Sequence, residues 1–201
     1  MTFETEDERR KLLSAAFWMP SVQTMVSRKS SITNALVNAI IPVFPPTLDE
    51  IEEALAILDM QPGDVRCAYC GLKATEWDHL RPLVLKHRPT GYVSEIANLV
   101  PSCSKCNQSK GNTHWRKWIT SPTATHSPTR RGVLDTDKRI QRLEAFEAWR
   151  LPKMIDFETV LGKDDWGHYW LLWEAVNSEL KKCQDVADAL RDRIALSLRK
   201  T

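Results

Sequence analysis

Four of the five cysteines fall in two Cys-x-x-Cys pairs, Cys67/Cys70 and Cys103/Cys106, with 32 residues between the pairs. Each pair folds into a tight knuckle that presents two sulfurs to one ion, and four thiolates suit tetrahedral zinc whatever the length of the intervening loop. Zinc closed by four sulfurs has no open position for water, so any chemistry must come from polar residues that the zinc positions. Asp78, His79, Asn98 and Asn107 are those residues. An imidazole titrates near neutral pH and can take a proton from attacking water. A carboxylate and an amide oxygen, here Asp78 and Asn107, suit a hard cation such as Mg²⁺.

In order and spacing, Asp78-His79-Leu80 with Pro82, Asn98-Leu99-Val100-Pro101-Ser102-Cys103 and Cys106-Asn107-Gln108-Ser109-Lys110-Gly111-Asn112 resemble the HNH, or ββα-metal, endonucleases with a four-cysteine zinc frame. The resemblance covers roughly Cys67 to Trp118, a quarter of the chain, and departs at Asn107, where other members carry His. It implies a structural Zn²⁺ on Cys67, Cys70, Cys103 and Cys106 and a separate catalytic Mg²⁺, or similar divalent ion, on Asp78 and Asn107. It also implies His79 as general base, and Asn98 as the amide that ties the loop between the strands and orients His79. Successive residues of an ideal strand point to opposite faces, so Asp78 and His79 converge on one phosphate only if the chain bends there.

The formal net charge of +2 hides an uneven distribution. Residues 66–131 carry eleven Lys/Arg against three Asp/Glu, whereas residues 1–65 carry five against ten and residues 132–201 twelve against thirteen. Positive charge therefore sits with the reactive segment, as a polyanionic substrate requires. Lys110, Arg116, Lys117, Arg130 and Arg131 are the candidate phosphate contacts, and Trp115 and Trp118 are expected to pack their small helix rather than stack on bases. The absence of a long apolar run or a signal-type N-terminus, together with reduced paired cysteines, leads us to expect a soluble cytoplasmic protein.

Elsewhere the pattern is helical. Helices are expected over Glu6 to Phe17, Ser21 to Ile40, a capped segment opened by Thr47-Leu48-Asp49-Glu50, Asp135 to Arg150, and Asp164 toward Arg199. A Pro/Ser/Thr loop at 120–134, expected to be mobile, separates the last two from the cysteine region. In the last helix Trp166, Tyr169, Trp170 and Trp173 begin an apolar stripe that Val176, Leu180, Val186, Leu190, Ile194 and Leu198 continue, suited to the chain's own core or to a second copy. Together these features indicate an α+β protein: an N-terminal helical region (1–63), a zinc-stapled nuclease module (64–119), the basic loop (120–134) and a C-terminal helical region (135–201). The resemblance extends to HNH-type Type II restriction enzymes, which implies double-stranded DNA as partner and a homodimer. The alternatives are a modification-dependent or nicking HNH enzyme and a non-catalytic zinc-ribbon DNA-binding protein.

Overall fold

The computed structural model describes residues 5–17 and 19–199. Two compact units emerge, one drawn from the described residues up to Lys29 and from Asn177 onward, the other from Ser30–Val176. In the first, Thr5 accepts the amide of Glu8 and opens α1 (Glu6–Ala16), whose first turn holds Glu6, Asp7 and Glu8 where the helix dipole favours acid. The helix expected from Ser21 begins later. Residues 21–24 are irregular, Ser27 bonds back to the Thr24 carbonyl, and a 3-10 turn, Val26–Arg28, precedes α2 (Lys29–Ile40). Short hydroxyl side chains that bond their own backbone compete with the helix ladder in this way.

α3 (Leu48–Ile57) starts at the expected capping box: Thr47 Oγ1 accepts the Glu50 amide at 3.2 Å and Glu50 accepts the Thr47 amide at 2.9 Å. The first cysteine knuckle closes through Gly71, whose amide reaches the Cys67 carbonyl at 2.8 Å with φ of 76°. Glycine is favoured there because the angle is left-handed, a conformation that strains residues with a Cβ. The chain then forms β1 (Glu76–His79), the tight hairpin β2 (Val84–Leu85) and β3 (Arg88–Pro89), and β4 (Leu99–Ser102). β1 and β4 pair antiparallel with Asp78 opposite Val100 and His79 opposite Leu99. α4 (Ser104–Lys110) leaves directly from Cys103, and α5 (Trp115–Ile119) follows.

Residues 120–134 are not a free linker. Ser127 is buried, its hydroxyl donates to the Ser121 carbonyl, and Thr129 is tied to the Ile119 carbonyl at 2.8 Å, so the loop is a string of pinned turns. α6 (Thr136–Trp149), α7 (Phe157–Leu161) and α8 (Lys163–Leu198) complete the chain. One apolar cluster wraps the cysteines with Tyr69, Trp115, Trp118, Leu143 and Phe146, closed by Ala54 and Leu58 of the α3 region. A second joins Val37 and Ile41 to Leu83, Val84, Val93, Phe157 and Trp170. Trp166 stacks on Phe157 at 5.0 Å and meets Trp170 edge-on at 5.3 Å. This end of the aromatic stripe is therefore intramolecular core, while Val186, Leu190, Ile194 and Leu198 are exposed.

Candidate active site

The four cysteine sulfurs lie within 4.8 Å of one another, and Cys70 and Cys103 are 3.7 Å apart. A tetrahedron with metal–sulfur bonds of about 2.3 Å has sulfur–sulfur edges of about 3.8 Å, so the cluster has the dimensions of a four-thiolate zinc site. Hydrogen bonds to Cys67 and Cys70, with burial, push the Cys106 thiol up, while bonds from Cys106 and Cys67 hold the Cys70 thiol down. Four packed sulfurs without a cation cannot all carry charge, and one divalent ion removes that conflict.

Tyr69, one of the two residues between the first pair, carries this frame into the neighbouring site. Its buried hydroxyl donates to Asp78 Oδ2, linking the cysteine knuckle directly to the carboxylate on β1. The same carboxylate faces Lys110 at the end of α4, with Nζ 3.2 Å from Oδ1 and 3.1 Å from Oδ2. Lys110 also donates to the carbonyls of His79 at 3.0 Å and Gly111 at 3.2 Å. Burial raises the Asp78 carboxyl and lowers the Lys110 ammonium, each shift only partly offset by the partner's charge. The expectation that Lys110 contacts DNA phosphate is corrected here. Its side chain is fully buried and its three donor positions are spent inside the protein.

β1 ends at His79, and the chain bends at Leu80 and Arg81. Asn98 holds that bend: its Oδ1 accepts the Arg81 amide at 2.8 Å and its Nδ2 donates to the Arg81 carbonyl at 3.0 Å. Asn98 is completely buried, so it braces the backbone beyond His79 and has no access to a substrate. The His79 ring is anchored by Nε2 to Ser94 Oγ at 2.9 Å. Burial, with the nearby Lys110 charge, pushes the imidazole down to about 4, which keeps it neutral at neutral pH. On α4, Asn107 Nδ2 donates to Glu76 Oε2 at 2.7 Å, leaving the amide oxygen as the remaining donor for a cation.

Asp78, His79 and Asn107 line one polar cavity of about 220 Å³, together with Asn34 and Asn38 from α2. Of the remaining basic candidates, Lys117 is exposed, Arg116 pairs with Glu144 and covers the Trp115 ring, and Arg130 donates to the Thr123 carbonyl at 2.7 Å. Arg131 lies beside the Cys70 sulfur at the edge of the cysteine cluster. Trp115 and Trp118 are buried, with Trp118 edge-on to Tyr69 at 5.2 Å and bonded to Ser109, so neither offers a face to a base.

Tyr69, Glu76, Ser94, Asn34 and Asn38 went unread in the sequence. Glu76 had a signal, because residues two apart in a strand share a face and Glu76 precedes Asp78 by two. Asn34 and Asn38 also had one, the four-residue spacing that places two side chains on one face of a helix.

The four cysteines, Asp78, His79, Asn98 and Asn107 all fall in a segment that this chain shares with known proteins. Residues 67–113 match the HNH endonuclease family. This segment is an HNH endonuclease domain. Over 98 residues the chain is also 34% identical to the CRISPR-associated endonuclease Cas9 of Corynebacterium diphtheriae, a match covering 43% of this chain and 9% of that protein's length. No solved structure matches the chain significantly. Among the described residues, no helix is long and apolar enough to cross a membrane.

Proposed function

We propose that this protein is a metal-dependent DNA endonuclease that hydrolyses phosphodiester bonds, with Cys67, Cys70, Cys103 and Cys106 holding a structural zinc. The observation that carries the reading is the convergence of Asp78, His79 and Asn107 on one cavity beside the cysteine cluster. In the tautomer whose Nε2–H donates to Ser94, the His79 ring keeps Nδ1 unprotonated and able to take a proton from attacking water. Asp78 and the Asn107 amide oxygen would hold Mg²⁺, which when bound neutralises charge on the scissile phosphate and the leaving oxygen. Glu76 orients Asn107 by taking its amide N–H, and Tyr69 and Lys110 fix the Asp78 carboxylate against the zinc frame. Asn98 positions His79 through the bend at Arg81.

Within this class, the reading is a site-specific Type II restriction enzyme in which the module 64–119 works between helical regions 1–63 and 135–201. A single Asp-His-Asn set cuts one strand, and a double-strand break at a palindrome needs two sites related by a two-fold axis. The exposed stripe Val186, Leu190 and Ile194 supplies apolar surface for such a homodimer. The test is incubation of unmethylated plasmid with the protein and Mg²⁺, followed by sequencing of the ends. Discrete double-strand ends are expected, and His79→Ala should slow cleavage by about 10²–10⁴-fold while leaving zinc in place. Nicked circles alone would favour a nicking enzyme, and no cutting with retained DNA binding would favour a zinc-ribbon binding protein.

A further inference from the structure

α2 has two faces of different character. Thr33, Leu36, Val37 and Ile40 form the anchored face: Thr33 accepts the Trp173 indole N–H at 2.9 Å, Tyr169 donates to the Leu36 carbonyl at 2.9 Å, and Val37 is completely buried. The other face carries Ser31, Asn34, Ala35 and Asn38, all exposed or half-buried. Asn34 and Asn38 reach the wall of the cavity that Asp78, His79 and Asn107 line. Asn38 Nδ2 bonds the Asn34 carbonyl at 2.7 Å, which leaves its Oδ1 available, and the Asn34 carboxamide has no side-chain hydrogen bond among the described residues.

Asparagine is a weaker helix former than alanine, so two of them one turn apart in a helix interior are not explained by helix stability. The helix sequence, Lys29-Ser-Ser-Ile-Thr-Asn-Ala-Leu-Val-Asn-Ala-Ile40, contains no acidic residue. A helix face with neutral donors and acceptors and no carboxylate approaches a nucleic acid without repelling its phosphates, yet offers no charge to hold one. Carboxamides are the side chains that match base edges, with paired donor and acceptor.

We propose that the Asn34/Asn38 face of α2 reads the base edges of the nucleotides flanking the scissile phosphate, so that this helix selects where the HNH site cuts. The inference rests on the DNA endonuclease reading above. It separates two tasks within one cavity: the wall of Asp78, His79 and Asn107 acts on the phosphate, and the wall of Asn34 and Asn38 acts on the bases.

The experiment is cleavage of a pool of DNA duplexes by the full, zinc-loaded chain with Mg²⁺, with the ends sequenced for wild type, Asn34→Ala/Asn38→Ala and Asn34→Asp/Asn38→Asp. Alanine is the better helix former, so the first variant should fold with an unchanged melting temperature. It is expected to lose base preference at one or two positions beside the cut by on the order of 10-fold or more, the discrimination that a well-placed carboxamide supplies. Total cutting of the pool should change far less. The aspartate variant, with carboxylates facing the substrate, should cut the whole pool more slowly and with a stronger dependence on salt. An alanine variant whose cut-site preferences equal the wild type's overturns the inference alone. A wild-type protein that cuts no duplex in the pool overturns the nuclease reading and the inference with it.

Discussion

The two ends of α8 use one apolar spacing in opposite ways. At the first end Trp166, Trp170 and Trp173 close a core with Phe157, Val37 and Leu83, and the Arg88 guanidinium sits 4.2 Å over the Trp170 ring. At the second end Val186, Leu190, Ile194 and Leu198 continue the stripe into solvent, with exposures of 49% or more. Large aromatic rings bury the most area per residue and cover one another edge-on. The aliphatic end has no such cluster among the described residues. Periodicity thus states which face of a helix is apolar, and only the neighbouring elements decide whether that face is filled by the chain itself.

The cysteine cluster is where the sealed unit, Ser30–Val176, can be broken most completely. Structural zinc contributes an apparent 10–16 kcal/mol or so to the folding of small zinc modules. Cys106→Ser is therefore expected to abolish zinc binding, loosen the Trp115/Trp118/Phe146 core built around it, and remove cleavage, read by metal analysis, tryptophan fluorescence and plasmid assay. Retention of one zinc per chain with an unchanged melting curve would break the link between metal and core. Trp170→Ala comes next, with an expected loss of about 3–5 kcal/mol for emptying an aromatic site in a packed cluster. Its counterpart at the other end, Leu190→Ala with Ile194→Ala, should change the stability of dilute protein by only about 0.5 kcal/mol, as exposed positions do. The same pair should halve the sedimenting mass if the exposed stripe joins two copies. Equal destabilisation by the two substitutions would erase the contrast between the ends of α8.

What was legible in the sequence follows the range of the interactions. The cysteine pairs, the capping box at Thr47 and Glu50 and the helical repeats announce themselves within a few residues, and apart from the late start of α2 each occurs in the structure as read. Asn107 stands far along the chain from the adjacent pair Asp78 and His79, and the gathering of the three around one cavity was expected only from the family resemblance. Lys110 looked like one more basic residue of a charged segment. Its role depends on α4 packing against β1, which brings its ammonium to Asp78 across 32 positions, and no local pattern distinguishes such a lysine from an exposed one. Asn34 and Asn38 show the four-residue spacing of one helix face, but which cavity that face meets is set by tertiary packing, so the place of α2 beside the polar cavity was missed. The loop at 120–134 has a composition that permits mobility, but its hydroxyls find carbonyl partners and become the pins of the turns.

Ion pairs repeat the contrast between the units on a finer scale. Among the described residues of the unit containing α1 and the far end of α8, Arg9 pairs with Glu6, Lys181 with Asp185, Lys182 with Glu179 and Arg191 with Asp188, all three or four residues apart. In the sealed unit several are long-range, among them Arg142 with Asp59, Arg81 with Glu147 and Arg150 with Glu50. Glu50 is the most informative because it serves two purposes, capping α3 through the Thr47 amide and meeting Arg150 just past α6. The Thr47 amide bond, followed by Arg150, holds its carboxyl below the usual carboxylate range. A carboxyl lowered in the folded state favours folding above its unfolded value, and that contribution disappears as pH falls through the lowered one. Glu50→Gln keeps the shape but removes the charge and the titration. It should therefore melt slightly below wild type at neutral pH, with the gap closing on acidification through the carboxylate range. Because the group is only half-buried and solvent screens it, this is the smallest effect of the series. Thermal melts of both proteins across pH provide the check: a gap that is absent at neutral pH, or that widens in acid, would show that the long-range pair adds nothing beyond what the local pairs do.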